Sequence, residues 1–184
     1  MVKIVAVVLF VLLSVIPVLA QEDYPKVQTS FGYANLGFVD FGNPNFGFTP
    51  TAPTSRHSGF ANETGFNLTR NLGINNYMGI YSLGGGITMI SDLFGGKAMY
   101  RTAKAVPYGV AGIGFGYLTS SQGYGLGSSF ATRFGAGVDV PFKESLAWKF
   151  EISRMSFHLN LTDPNSSWTS GTNFQTGIVF TILQ

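Results

Sequence analysis

Between Ser145 and Ser153 the chain reads SLAWKFEIS, and its side chains alternate without a break. Leu146, Trp148, Phe150 and Ile152 form one set; Ala147, Lys149, Glu151 and Ser153 form the other. A period of two is a β-strand whose successive side chains leave by opposite faces. One face therefore carries Trp and Phe while the other carries an ammonium and a carboxylate. Such a strand has two stable settings. Either the aromatics meet lipid around a polar interior, or they fill a dry core and the charges meet water.

Composition chooses between them. Charged residues make up 11% of the chain, against about 25% in ordinary soluble domains. Aromatics reach 15% and there are 24 glycines. A water-facing surface needs about 25–35% charged residues, and a lipid-facing one does not. Aromatic-rich, charge-poor sequence is also the opposite of disorder. The formal net charge of +2 offers little to nucleic acid, so no nucleic-acid partner is expected.

Met1 to Ala20 has the order of a secretory signal, which gives a 1–20 signal peptide and a 21–184 barrel domain. Lys3 begins it, Ile4 to Leu13 is its apolar run, Pro17 breaks the helix, and Val18 and Ala20 supply the small −3 and −1 residues. The run is shorter than the ~20 residues of a spanning helix. Cysteine is absent, so there is neither a lipidation site nor a disulfide.

Similar alternation recurs to the end of the chain. Phe130, Thr132, Phe134, Ala136, Val138, Val140 and Phe142 alternate with Ala131, Arg133, Gly135, Gly137 and Asp139. Val27, Thr29, Phe31 and Tyr33 alternate with Gln28, Ser30, Gly32 and Ala34. Phe60, Phe66 and Leu68 oppose Glu63, Gly65, Asn67 and Thr69 over Ser58 to Arg70. Tyr77 to Gly84 is the weakest pattern. Phe94, Ala98 and Tyr100 oppose Lys97, Met99 and Arg101 over Ile90 to Thr102. Ala111, Ile113, Phe115 and Tyr117 oppose Gly112, Gly114 and Gly116 over Pro107 to Thr119. A last strand near Thr172 to Leu183, with Phe174, Ile178, Phe180 and Ile182 on one face, makes eight. The expected fold is all-β: an eight-stranded antiparallel up-and-down transmembrane β-barrel.

Even strand numbers put both termini on the periplasmic side and the longer loops outside. The outer connections are Val39 to Arg56, Gly84 to Ile87 (short), Ser120 to Gly127 and Asn160 to Gly171. The periplasmic ones are Asn71 to Asn76, Ala103 to Val106 and Lys143-Glu144. Eight strands leave an interior that side chains fill. Glu63, Lys97, Arg101, Arg133, Asp139, Lys149 and Glu151 are expected there as a mutually paired network, because an unpaired charge inside costs several kcal/mol. Tyr33, Tyr100, Tyr108, Tyr117, Trp148 and Trp168 suit the interfacial girdles.

The stretches Arg56 to Tyr81, Leu93 to Arg101, Val106 to Tyr117, Phe134 to Val140, Leu146 to Ser153 and Thr176 to Phe180 together resemble the small outer-membrane protein β-barrel domain family, whose architecture is that of the OmpA and OmpX barrels. The resemblance implies a non-enzymatic protein of the Gram-negative outer membrane, in contact with its lipid and lipopolysaccharide. It also implies that Gln175, Gly177, Phe180 and Ile182 form the closing-strand signal read by the barrel-assembly machinery. The chain departs from many such barrels by ending in Leu183-Gln184 rather than an aromatic residue. No catalytic constellation is carried over.

Other chemistry finds little support. His57 and His158, with Asp40, Asp163 or Ser58, would be the raw material for a rim hydrolase or metal site, but their spacing matches no such motif. The runs Gly84 to Gly86, Gly112 to Gly116 and Gly123 to Gly127 lack the Lys-Ser/Thr of a phosphate loop. The N-x-S/T triplets at Asn62, Asn67, Asn160 and Asn165 fit chance in an Asn- and Thr-rich chain. No cofactor or metal is expected. Phe41 to Phe48, FGNPNFGF, places aromatics on an expected outer loop, which is expected to contact an extracellular partner or the lipopolysaccharide surface. The function expected is structural or surface-interacting. A narrow, porin-like pore and a soluble lipocalin-like ligand-binding barrel are the alternatives.

Overall fold

A computed structural model describes residues 24–37, 56–84, 86–120, 125–159 and 168–183. The leader Met1 to Ala20, most of the first outer connection with Asp40 and Phe41 to Phe48, and the segment with Asn160, Asp163 and Asn165 lie outside them.

Eight antiparallel strands close in chain order. They are β1 (Val27–Gly37), β2 (Arg56–Asn67), β3 (Leu72–Gly84), β4 (Ile87–Met99), β5 (Val106–Ser120), β6 (Gly125–Lys143), β7 (Leu146–Leu159) and β8 (Trp168–Leu183).

 Following the register from Val27 through Phe66, Ile74, Gly96, Ala111, Phe134, Arg154 and Thr172 returns to β1 at Gly37, ten residues further along. A stagger of that size inclines the strands by about 35–45° to the barrel axis.

The strands form where side chains alternate, and the two faces separate cleanly. On β7, Trp148 and Phe150 are 48% and 49% exposed, whereas Lys149 and Glu151 are 1% and 5% exposed. The aromatic side is therefore outside and the charged side inside, the reverse of a soluble ligand-binding barrel. Phe31, Phe60, Phe66, Phe94, Ile113, Phe115, Phe134, Ile152, Phe174 and Phe180 continue the outer apolar surface around the wall. A soluble monomer rarely exposes so large an apolar area. Phe150→Arg should cost about 2–4 kcal/mol in lipid, read as a lower urea midpoint for the barrel in phospholipid vesicles.

Several boundaries differ from those expected. The turn expected over Asn71 to Asn76 lies at Leu68 to Asn71, where the amides of Asn71 and Leu72 donate to Thr69 Oγ1. Leu72 already belongs to β3, with Leu72 and Ile74 outside and Gly73 and Asn75 inside. Asn and Gly there fill the lumen rather than bend the chain. β4 stops at Met99, so Tyr100, Arg101 and Thr102 enter a turn in which Thr102 Oγ1 donates to Ala105 O. Ser120 ends β5 and Gly125 begins β6, which shortens the third outer connection. Gly84 and Gly86, at φ 82° and 75°, make the tight turn between β3 and β4, a backbone that other residues rarely adopt.

Candidate functional site: the ionic layer inside the barrel

Six ionic side chains converge in the lumen from four strands. β2 contributes Glu63, β4 Lys97, β6 Arg133 and Asp139, and β7 Lys149 and Glu151. Each occupies an inward position fixed by strand alternation. Arg133 Nη2 donates to Glu63 Oε2 at 2.8 Å and to Glu151 Oε1 at 2.5 Å. Lys149 Nζ stands 3.1 Å from Glu63 Oε1 and 3.6 Å from Glu151 Oε2. Lys97 Nζ donates to Asp139 Oδ2 at 3.0 Å and lies 4.0 Å from Glu63. Three carboxylates thus face three cations, and the layer is neutral.

Arg101, expected in this network, is not part of it. Its Nε donates to Arg70 O at 2.8 Å in the neighbouring turn. Alternation gave it the correct side, but β4 ends before reaching it. Tyr108 also differs from expectation: it faces inward rather than joining a girdle. Its hydroxyl donates to Glu151 Oε2 at 3.2 Å, and Lys97 Nζ sits 3.7 Å from its ring centre. Gly137 makes room for that ring, since a Cβ there would meet the Tyr108 hydroxyl at 2.5 Å. Tyr33, Tyr100, Tyr117, Trp148 and Trp168 are exposed on the outside.

The lumen is filled on both sides of the ionic layer. Toward the ends bearing the termini lie Met99, Val106, Tyr108 and Val110. Away from the termini lies a larger apolar cluster that includes Leu36, Tyr77, Tyr81, Leu93, Met155 and Phe157. Tyr77 links the two regions, because the Arg133 guanidinium lies 3.9 Å from its ring centre. The Tyr77 and Tyr81 hydroxyls are hydrogen-bonded, Tyr81 donates to Asn173 Oδ1 at 3.0 Å, and Asn173 Nδ2 donates to Tyr77 at 3.3 Å. The sequence pattern did not single out this triad. Its signal was Tyr77 and Tyr81 at even spacing around Gly79, between outward Met78 and Ile80. The space among Gln28, Ser30, Glu63, Asn67, Lys97 and Lys149 is about 20 Å³, room for one water.

The closing strand divides its four expected recognition residues. Gln175 is buried inside opposite Glu151, while Phe180 and Ile182 face out. Gly177 lies at the β1–β8 seam, across from Gly32. A Cβ on Gly177 would meet Phe31 O at 2.2 Å and Gly32 Cα at 2.6 Å. Close backbone approach is a structural reason for glycine that sequence alone did not reveal.

The two histidines do not converge. His57 points inward from β2, and His158 sits on β7 with its ring 5.0 Å from that of Trp168 on the outer side. Ser58 instead shares a hydrogen bond with Tyr33 at 2.7 Å. Among the described residues no three His, Cys, Asp or Glu side chains group as a metal site.

The family model of the outer membrane protein beta-barrel domain matches residues 6–181. Among solved structures, the chain is similar to Neisserial surface protein A, with a TM-score of 0.63 and 11% identity over 85% of this chain and 96% of that one. It is also similar to the N-terminal β-barrel domain of OprF from Pseudomonas aeruginosa, with a TM-score of 0.51 and 14% identity over 83% and 97%. A de novo designed transmembrane β-barrel aligns with a TM-score of 0.53 and 13% identity over 87% and 98%. At such identities the likeness is one of fold. No curated protein sequence matches the chain.

Proposed function

The chain belongs to the outer membrane protein beta-barrel domain family and is a β-barrel of the bacterial outer membrane; from that premise we propose that it is a non-enzymatic, non-conducting barrel that displays surface loops. The observation that carries this reading is the filled lumen. A neutral set of six paired charges lies beside an apolar cluster built around Tyr77, Tyr81, Met155 and Phe157. An ion entering would have to separate buried pairs and then cross apolar side chains with no compensating ligands, a passage that costs several kcal/mol.

In this reading the outer-membrane lipid and lipopolysaccharide solvate the wall, and the 38–55 segment, with its FGNPNFGF run, contacts an extracellular partner. The barrel-assembly machinery reads Gln175, Gly177, Phe180 and Ile182 during insertion. Purified protein in planar bilayers should give no single-channel steps. Regular steps would favour the narrow-pore alternative. Deleting Asn43 to Thr54 should weaken surface binding while leaving the folded barrel intact, as read by its gel mobility before and after boiling.

A further inference from the structure

The outer wall is not apolar all the way round. On β2, Asn62 lies between outward Phe60 and, beyond Thr64, Phe66; on β3, Asn76 lies between Ile74 and Met78; on β4, Asp92 lies between Ile90 and Phe94. All three polar groups therefore sit inside apolar stretches of their own strands, within the part of the wall that lipid tails would cover. Asn62 Nδ2 donates to Thr29 Oγ1 at 3.2 Å and Ser30 O at 3.0 Å, and Asn76 Nδ2 donates to Asp92 Oδ1 at 2.6 Å. Among the described residues these bonds leave the side-chain carbonyls of both asparagines, one N–H of Asn76 and the second oxygen of Asp92 without a hydrogen-bond partner. Hydrocarbon offers them nothing, and ionisable or amide groups at membrane depth ordinarily face protein.

The register makes this face self-complementary. Phe31 pairs with Asn62 on one side of Met78, and Asn76 pairs with Phe94 on the other. Asn62 is directly across from Met78. With the strands inclined by about 40°, Asn62 and Asn76 come to similar heights on either side of it. A groove of about 160 Å³, lined by Phe31, Phe60, Asn62, Met78 and Ile80, lies on the Asn62 side, and Phe94 projects on the Asn76 side.

We infer that the outward face of β1 to β4 is a homodimer interface, in which Asn76 of each copy meets Asn62 of the other and Phe94 enters the groove beside Phe31. A two-fold axis through Met78, along the membrane normal, generates both contacts at once. Such an isologous contact closes at two copies.

The absence of native cysteine makes the test direct. Met78→Cys, on the axis, should give a covalent dimer under mild oxidation in native outer membranes and in phospholipid vesicles. Ile113→Cys, exposed on β5, should remain monomeric. The double variant Asn62→Leu/Asn76→Leu should fold in vesicles and lose the Met78→Cys cross-link when combined with it. Three results would each overturn the inference. They are equal cross-linking at both cysteines, a Met78→Cys link to some other protein, and a folded barrel that Met78→Cys never cross-links.

Discussion

Arg133→Met should lower barrel stability by about 3–5 kcal/mol, the usual cost of removing one partner from a buried ionic group. Arg133 is the guanidinium shared by Glu63 and Glu151, and it lies 3.9 Å from the Tyr77 ring centre. Without it, two cations must serve three buried carboxylates. Urea titration in phospholipid vesicles, followed by the mobility difference between unboiled folded and boiled unfolded protein, measures the loss. Adding Glu151→Gln restores the charge balance, so the double variant should recover a substantial part of it. Two independent, additive losses would instead mean that Arg133 acts through packing rather than charge.

Gly177→Val should prevent the barrel from closing. The new branched side chain starts from a Cβ placed 2.2 Å from Phe31 O, while the opposing Gly32 has no slack, since its own Cβ would lie 2.1 Å from Thr176 O. Overpacking against side chains typically costs about 1–3 kcal/mol; here the obstacle is backbone, which cannot rotate away. The seam joins the first strand to the last and is the final pairing needed for closure. Refolding purified protein into vesicles without assembly factors separates this cause from recognition. If Gly177 served recognition alone, the variant would refold there as well as Ile182→Val. The seam geometry predicts no heat-modifiable folded band for Gly177→Val and a normal one for Ile182→Val.

Legibility in the sequence followed the contrast between faces. β6 and β7 place Phe, Trp and Val against Arg, Asp, Lys and Glu, so the two faces separated in the sequence, and the scarcity of charge chose which of them meets lipid. β3 could not, because Asn75 faces in while Asn76 faces out, and amides on both faces erase the period. That blurred strand carries Tyr77 and Tyr81, which is why their triad with Asn173 stayed hidden. Tyr108 shares parity with inward Gly112 and Gly114; its aromatic character pointed to a girdle although its position pointed inside. Arg101 shows the opposite limit, where parity was right and the strand had ended. The Gly32–Gly177 seam required three-dimensional pairing, since strands at the two ends of the chain meet only on closure.

The glycines and the charges serve one arrangement. Gly137 gives the Tyr108 ring its place, and Tyr108 in turn donates to Glu151 and lies against Lys97. The interior is consequently specified by geometry as well as by charge count. Its stability does not follow from ion pairs alone, because desolvation offsets much of their attraction.

Trp148 fluorescence tests the central assignment of the two faces most directly. The chain has two tryptophans, and Trp168→Phe leaves Trp148 as the sole reporter. In vesicles of lipid brominated along the acyl chain, Trp148 emission should be strongly quenched and insensitive to aqueous iodide. Emission quenched by iodide but untouched by brominated chains would put water against the Trp148 face and contradict a barrel solvated by lipid.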